Sequence, residues 1–192
     1  MGYKVITPVA SDVIPLADMR QHLKLDGIGG STHPDDAMVQ ALLAAAREYA
    51  EHYTQRSIGA QTLELALDSF PSSPPGIELP LGAATLTSIK YVDTALVEQT
   101  ISNTLYTLDD YSDKHWAIPA SVWPTPADVA NAVKVRYVTP AAIPAAGRAA
   151  LLLLVSHLYQ NREAVNVERG VVPAEVPFGV KALLDTFRKW SM

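Results

Sequence analysis

Apolar side chains recur at helical spacing in the first third of the chain. Leu16, Met19 and Leu23 lie three or four positions apart behind Pro15, a residue suited to the first turn of a helix, so a short helix is predicted over about 15–23. A longer second helix is predicted from a stripe of apolar side chains on one face, which contains Met38, Leu42, Ala45, Ala46, Tyr49 and Tyr53.

From residue 59 onward the period changes from helical to alternating. Leu63, Leu65 and Leu67 alternate with polar or small residues, as a half-buried strand requires. Further short β-like segments, separated by Pro, Asn and Asp, follow at 77–79, 86–92, 105–108, 115–118 and 133–138. This spacing is typical of an antiparallel meander or a small sandwich, and not of alternating strands and helices.

Helical spacing returns after Pro140 and Pro144. A strong helix is predicted from about 145 to 163, and because its middle is apolar almost all round, it is expected to be the central buried helix. A last amphipathic helix is predicted from the spacing of Val180, Leu183, Leu184, Phe187 and Trp190.

Together these elements predict an α+β fold that is mainly helical. Residues 1–58 and 140–192 are expected to form a core domain of about four helices. Residues 59–139 are expected to form a small antiparallel β-rich insert between the second and third helices.

The composition excludes several classes of protein. Apolar residues make up 48% and charged residues 18%, which supplies a core and argues against disorder. The formal net charge is −5 and the basic residues are not clustered, so a surface that binds nucleic acid is not expected. The absence of cysteine excludes a disulfide framework, a thiolate zinc site and a cysteine nucleophile. The longest apolar run, 149–155, is far shorter than the ~20 residues of a membrane span, so a soluble protein is expected.

Two groups of side chains are candidate metal ligands, and each has a simpler interpretation. Asp109, Asp110 and Asp113 offer the oxygens that calcium prefers, but the stretch lacks the glycine and the final glutamate of a calcium loop. A solvated turn is therefore favoured. The spacing of three histidines does not favour a metal site either: His22, His33 and His52.

His157, Arg162 and Glu163 lie close together near the end of the predicted central helix. A catalytic cluster needs a nucleophile or a second base in a defined relation to the histidine, and the sequence offers none. A histidine in the core or at an interface is therefore favoured.

The three tryptophans are candidates for contact with a partner, since interfaces are enriched in this residue. Trp116 and Trp123 fit a core and an interface equally well. Trp190 lies two residues from the end of the given sequence, and there an interface is favoured.

Four segments, taken in order, resemble the head–tail connector (adaptor) proteins of tailed bacteriophages, of the gp6-like and phiE125 gp8-like type. They are LADMRQHLKL at 16–25, DDAMVQALLAAAREYAE at 35–51, ALLLLVSHLYQNREA at 150–164, and the closing helix that follows Val176 and Pro177. Each segment alone is a common amphipathic pattern, whereas their joint order and spacing are specific. The β insert matches that of the longer gp8-like subgroup.

This resemblance implies a structural protein with no catalytic residue, no metal and no cofactor. It implies a homo-oligomeric ring, usually of twelve copies, that lies below the portal protein in the neck of the virion and carries a tail-completion or stopper protein. DNA passes through its channel without sequence-specific binding, and the ring is assembled in the cytoplasm of the bacterial host. Two alternatives stay open: a monomeric ligand-binding module, and a hydrolase with a pocket in the β insert.

The resemblance also implies where partners bind. The C-terminal part of such adaptors engages the portal, so contact with the portal is expected through Val180, Leu184, Phe187, Arg188 and Trp190. Arg162 and Glu163 are candidates for a pair between neighbouring subunits. By charge alone, the candidates for the channel wall are Asp109, Asp110, Asp113, Glu48 and Glu51.

Overall fold

A computed structural model describes residues 2–9, 13–25, 32–72, 76–161 and 178–189. The chain divides into two compact units. One comprises residues 1–10 and 59–142 and is here named the β unit. The other comprises residues 11–58 and 143–192 and is here named the helical unit.

The described part of the helical unit contains four helices: α1 Leu16–Leu23, α2 Asp36–Thr54, α3 Ala145–Gln160 and α4 Phe178–Asp185. They confirm the helices predicted from apolar spacing. α3 is the central buried helix, as its apolar middle predicted, and it buries Gly147, Ala150, Leu151, Leu154 and Val155.

Polar contacts fasten the ends of these helices to one another. Arg20 of α1 donates two hydrogen bonds to Asp36, one from Nε to Oδ1 at 2.7 Å and one from Nη2 to Oδ2. These bonds lower the pKa of Asp36, and the His33 N–H, which also donates to this carboxylate, acts in the same direction. The Tyr159 hydroxyl of α3 donates to the carboxylate of Asp35. The start of α2 is thereby tied to both α1 and α3.

The described part of the β unit contains eight strands: β1 Gly2–Thr7, β2 Thr62–Leu67, β3 Ile77–Leu79, β4 Thr85–Val92, β5 Glu98–Ile101, β6 Tyr106–Asp109, β7 His115–Pro119 and β8 Val133–Val138. Five of them form an antiparallel sheet in the order β1-β2-β8-β4-β5. A second antiparallel sheet has the order β3-β7-β6.

The prediction of a mainly helical protein with a small β insert is therefore wrong. The described residues form eight strands in two sheets beside four helices, and the β unit has a hydrophobic core of its own. Two of the strands, β1 and β5, have no counterpart in the sequence prediction. A strand of four to six residues gives a weaker periodic signal than a helix of sixteen to nineteen.

The five-stranded sheet has one apolar face and one charged face, since side chains alternate along each strand. A row of directly paired residues crosses all five strands on the apolar face: Tyr3, Leu65, Val135, Ile89 and Ile101. Four of these side chains are buried, whereas Tyr3 is exposed. The core of the β unit therefore begins at β2 and leaves β1 uncovered by the residues that the structure describes.

The opposite face of this sheet carries ion pairs. Arg136 donates to Glu64, whose carboxylate also lies 3.0 Å from Lys4 Nζ, and Glu98 lies 2.8 Å from Lys90 Nζ. Burial raises the pKa of Glu64, but the hydrogen bonds from Arg136 and Lys4 lower it by more, so that it lies below its usual range. The Glu64 carboxylate therefore stays ionised at neutral pH.

Replacing Glu64 with glutamine is expected to lower the free energy of unfolding by about 1–2 kcal/mol at neutral pH, because Arg136 and Lys4 lose their anionic partner. Since the pKa of Glu64 is lower in the folded chain than in the unfolded chain, its contribution is fully present above the unfolded pKa. The contribution is lost as the pH falls through the folded pKa. Urea unfolding at about pH 7 and about pH 3 measures both effects.

The matched control for this prediction is Asp128→Asn, which changes an exposed carboxylate and is expected to leave stability unchanged. An equal loss in both variants at neutral pH, or a Glu64→Gln loss that persists at low pH, would contradict the assigned role of the ion pairs.

Candidate interaction surfaces

Two of the residues predicted to contact a partner lie inside the helical unit. Val180 and Leu184 are fully buried among the apolar side chains of that unit. Phe187 is partly buried, and its ring lies 3.1 Å from the position that a Cβ on Gly147 of α3 would take. In this conformation these side chains hold α4 in place.

Arg188 and its neighbours are bonded to the end of α2. The Arg188 guanidinium lies 4.6 Å from the centre of the Tyr53 ring, a cation–π contact. The Tyr53 hydroxyl donates to Asp185 at 2.8 Å, and this bond is the main cause of the raised pKa of Tyr53. Arg56 Nε donates to the Phe187 carbonyl at 2.7 Å. The other predicted contact residues, Trp190, Arg162 and Glu163, lie outside the described residues.

α4 presents a different aromatic side chain to solvent. Phe178 is 86% exposed. It precedes Val180 by two positions and therefore lies nearly opposite it around the helix. Phe178 lies off the apolar stripe and so was not among the predicted contact residues, but its position off the stripe is the sequence signal of an outward-facing side chain.

The acidic candidates for a channel wall differ in their contacts and in their exposure. Glu51 accepts hydrogen bonds from Arg47 Nη1 at 2.7 Å and from the Ile58 N–H at 2.8 Å, so it supports the end of α2. Asp109 accepts from a backbone N–H two residues on, as a solvated turn predicts. The remaining candidates are exposed: Glu48, Asp110 and Asp113.

The candidate histidines are not gathered into a cluster. His22 and His52 are exposed, and His33 Nδ1 accepts a hydrogen bond from the backbone N–H of Asp35 at 3.1 Å. His157 is half-buried on α3. Among the described residues, no group of three or more His, Asp or Glu side chains is arranged to hold a metal ion.

Trp123 lies in the core of the β unit and also borders its surface. Its ring stacks on Phe70 with centroids 4.9 Å apart, and Phe70 meets Tyr91 edge-on at 6.0 Å. Trp123 is only 9% exposed, whereas the preceding Val122 is 85% exposed. The second predicted tryptophan, Trp116, is half-buried on β7.

Residues 121–124 separate two open clefts of about 470 and 480 Å³. The first is lined by Phe70, Trp123 and three prolines, together with small polar residues. The second runs along β5, where the consecutive residues 99–102 form one wall. None of the described residues that line either cleft is a histidine, a carboxylate, a lysine or an arginine. These surfaces therefore offer stacking and apolar contact.

The edge strand β1 is exposed along its whole length. Tyr3 and Val5 are 47% and 49% exposed, although they lie on the apolar face of the sheet and pair with the fully buried Leu65 and Leu63. An apolar edge of this kind is a common site of protein contact.

No helix in the described part of the chain has the length and apolar character needed to cross a bilayer.

Comparison with solved structures finds this fold in particle proteins. A chain from "Virion of native gene transfer agent (GTA) particle" matches with a TM-score of 0.80 and 23% identity, over 100% of this chain and 97% of that one. The fold is shared. Chains from the "Neck of empty GTA particle computed with C6 symmetry" and the "Neck of native GTA particle computed with C12 symmetry" match over the same shares at 24% identity, with TM-scores of 0.77 and 0.72. No protein-family model and no curated protein sequence matches.

Replacing Leu184 with alanine is expected to lower the free energy of unfolding of the isolated chain by about 2–4 kcal/mol, because the side chain fills its own core. Phe178→Ala, the matched control on the same helix, is expected to change it by less than about 0.5 kcal/mol. Urea unfolding followed by circular dichroism compares the two. A Leu184→Ala chain as stable as the wild type would show that Leu184 does not act as a core residue.

Proposed function

We propose that this chain is a structural subunit of the neck of a phage-like particle, and not an enzyme. The observation that carries the proposal is the match over the whole chain to proteins of the gene transfer agent virion and neck. The apolar clefts and the exposed edge of the β unit support it, since they have the chemistry of protein contacts.

The subunit assembles into a ring, which is the form that supports a neck. The neck structures with similar chains were computed with C6 and C12 symmetry, and a cyclic arrangement places the same two surfaces of each copy against its neighbours. Twelve copies is the number that the connector resemblance implies. Arg162 and Glu163 are proposed to lie near the contact between neighbouring subunits.

In finer detail, the ring is a head–tail connector that binds the portal on one side and a tail-completion or stopper protein on the other. DNA passes through its centre. The net charge of −5 supports this role, because a channel wall that does not bind phosphates lets DNA slide. The exposed acids Glu48, Asp110 and Asp113 are candidates for this wall.

The C-terminal segment, 176–192, is proposed to engage the portal. The burial of Val180, Leu184 and Phe187 supports a division of labour within it: these residues fix α4, and Phe178 supplies an exposed aromatic side chain for the partner. Arg188 and Trp190 belong to the same proposed contact segment.

The ring is tested by measuring the mass of the purified chain by light scattering across a concentration series, with negative-stain images of the same fractions. Rings of about a dozen copies with an open centre are expected, alone or after addition of the portal. A chain that stays monomeric in both conditions would overturn the ring and favour the monomeric binding module.

Replacing Phe178 with aspartate is expected to weaken binding to the portal by at least about tenfold, because a charge replaces an exposed aromatic anchor. The control is Tyr111→Asp, which changes a fully exposed aromatic residue of the β unit. Light scattering of chain–portal mixtures reports binding, and unchanged circular dichroism shows that both variants fold. Normal binding by the Phe178 variant would remove α4 from the proposed contact.

A further inference from the structure

The five-stranded sheet ends in two strands whose outer edges lack a strand partner among the described residues. β1 closes one side and β5 the other. The outward backbone N–H and C=O groups of such strands are a template for pairing with another strand. Each edge therefore has a backbone surface ready to extend the sheet.

The β1 edge presents projecting apolar side chains. Tyr3 and Val5 stand on the apolar face, roughly half exposed, where the core of the β unit no longer covers them. Neither face of β1 is covered by the described residues, so its pairing with β2 is its main support.

The β5 edge presents a groove. The cleft of about 480 Å³ is lined by four consecutive residues, 99–102, and by Tyr91 of the neighbouring strand β4, so it lies beside β5 on the apolar face of the sheet. The other residues that line it are mostly apolar and include the exposed Leu105 and Val122 beside Trp123.

The projecting side chains of β1, Tyr3 and Val5, and the groove beside β5 lie on the same face of the sheet. The row that begins at Tyr3 on β1 ends at Ile101 on β5, and Ile101 lines the groove. Because a strand added to a sheet keeps the alternation of faces, a β1 strand placed beside β5 would direct its Tyr3 and Val5 toward that groove.

We propose that neighbouring copies of this chain join by adding the β1 edge of one copy to the β5 edge of the next, with Tyr3 and Val5 in the groove beside Trp123. This inference rests on the ring of the proposed function and names the surfaces that close it. Two different surfaces meeting head to tail are what a closed ring of identical subunits requires.

Four successive antiparallel pairings separate β1 from β5, so the two edge strands have the same sense within one copy. A head-to-tail contact that adds β1 of one copy to β5 of the next therefore pairs the two strands in the parallel sense.

The charges on the other face agree with this pairing. Lys4 of β1 and Glu98 of β5 are both on the charged face and both partly exposed, although each already has an ion-pair partner in its own chain: Glu64 for Lys4, and Lys90 and Lys134 for Glu98. Addition of β1 to β5 brings these opposite charges to the same side of the joint. The alternative is that a different neck protein pairs with either edge, and the two cases give different results in cross-linking and in assembly.

The first experiment uses the absence of cysteine in the chain. Lys4→Cys is combined with Thr100→Cys, since both positions are on the charged face of the edge strands, and assembled full-length chain is treated with a short bismaleimide. A ladder of covalent multimers up to the full ring is expected on a denaturing gel. Lys4→Cys with Ser112→Cys, on an exposed loop, is the matched control and is expected to stay monomeric.

Rings that form normally while the Lys4/Thr100 pair gives no multimers would overturn the inference. So would a control pair that cross-links equally well.

The second experiment replaces the two apolar side chains that project from β1. Tyr3→Ser with Val5→Ser changes only exposed side chains, so the chain is expected to fold, as circular dichroism would show. The concentration at half-assembly is expected to rise at least about tenfold, whereas Tyr111→Ser is expected to leave it unchanged.

The outcomes distinguish this inference from the function on which it rests. Unaltered assembly of the double variant, with or without loss of binding to another neck protein, overturns the edge contact and leaves the ring intact. A wild-type chain that assembles neither alone nor on the portal overturns the ring, and the edge contact with it.

Discussion

The antiparallel pairing of β2 with β8 is the contact on which the β unit depends. These strands are separated by about seventy residues in sequence, and they pair in register from Thr62 with Val138 to Leu67 with Val133. Just beyond them, the Thr139 N–H donates to the Gln61 carbonyl at 2.9 Å, and its hydroxyl accepts from the Gln61 N–H at 3.0 Å. The long loop is therefore closed at its own ends, and every other strand of the larger sheet is placed relative to this pair.

The two faces of the sheet follow from that register. Once Leu65 is opposite Val135, the alternation of side chains sends Glu64 and Arg136 to the other face, where they form an ion pair. A shift of one residue would bury these charges and expose the leucines. The register is thus specified from both sides, by burial on one face and by charge on the other.

The sequence predicted those elements whose burial is one-sided. The apolar stripe of α2 and the alternation at β2 are both consequences of one face in a core and one face in water. β1 could not be found in this way, because both of its faces are exposed and Ile6, beside the irregularity between Val5 and Thr7, interrupts its alternation. β5 buries one residue of four, which gives no period. The two strands that the pattern does not reveal are the edge strands of the larger sheet.

The candidate contacts on α4 show a second limit of sequence patterns. An apolar stripe indicates that one face of a helix is buried, but it does not indicate whether the same chain or a partner covers that face. The connector resemblance implies that Val180 and Leu184 contact the portal, yet both side chains lie in the core, while Phe178 lies off the stripe and is exposed. Trp123 belongs to both categories, since it stacks on Phe70 inside the unit and borders a cleft outside it.

An unpaired strand edge can also pair with the wrong strand, and the charges on β1 and β5 disfavour some of these pairings more than others. β1 against β1 would bring two copies of Lys4 into one small joint, and β5 against β5 would do the same with Glu98, although each of these charges is partly balanced by an ion pair in its own chain. Like charges that face each other across strands are destabilising, whereas opposite charges contribute roughly 0.2–1 kcal/mol per pair. The amount is small for one joint, but a ring repeats the joint in every copy. Electrostatics of this kind does not create the contact, which the apolar side chains supply, but it disfavours the symmetric dimers that would stop a ring from closing.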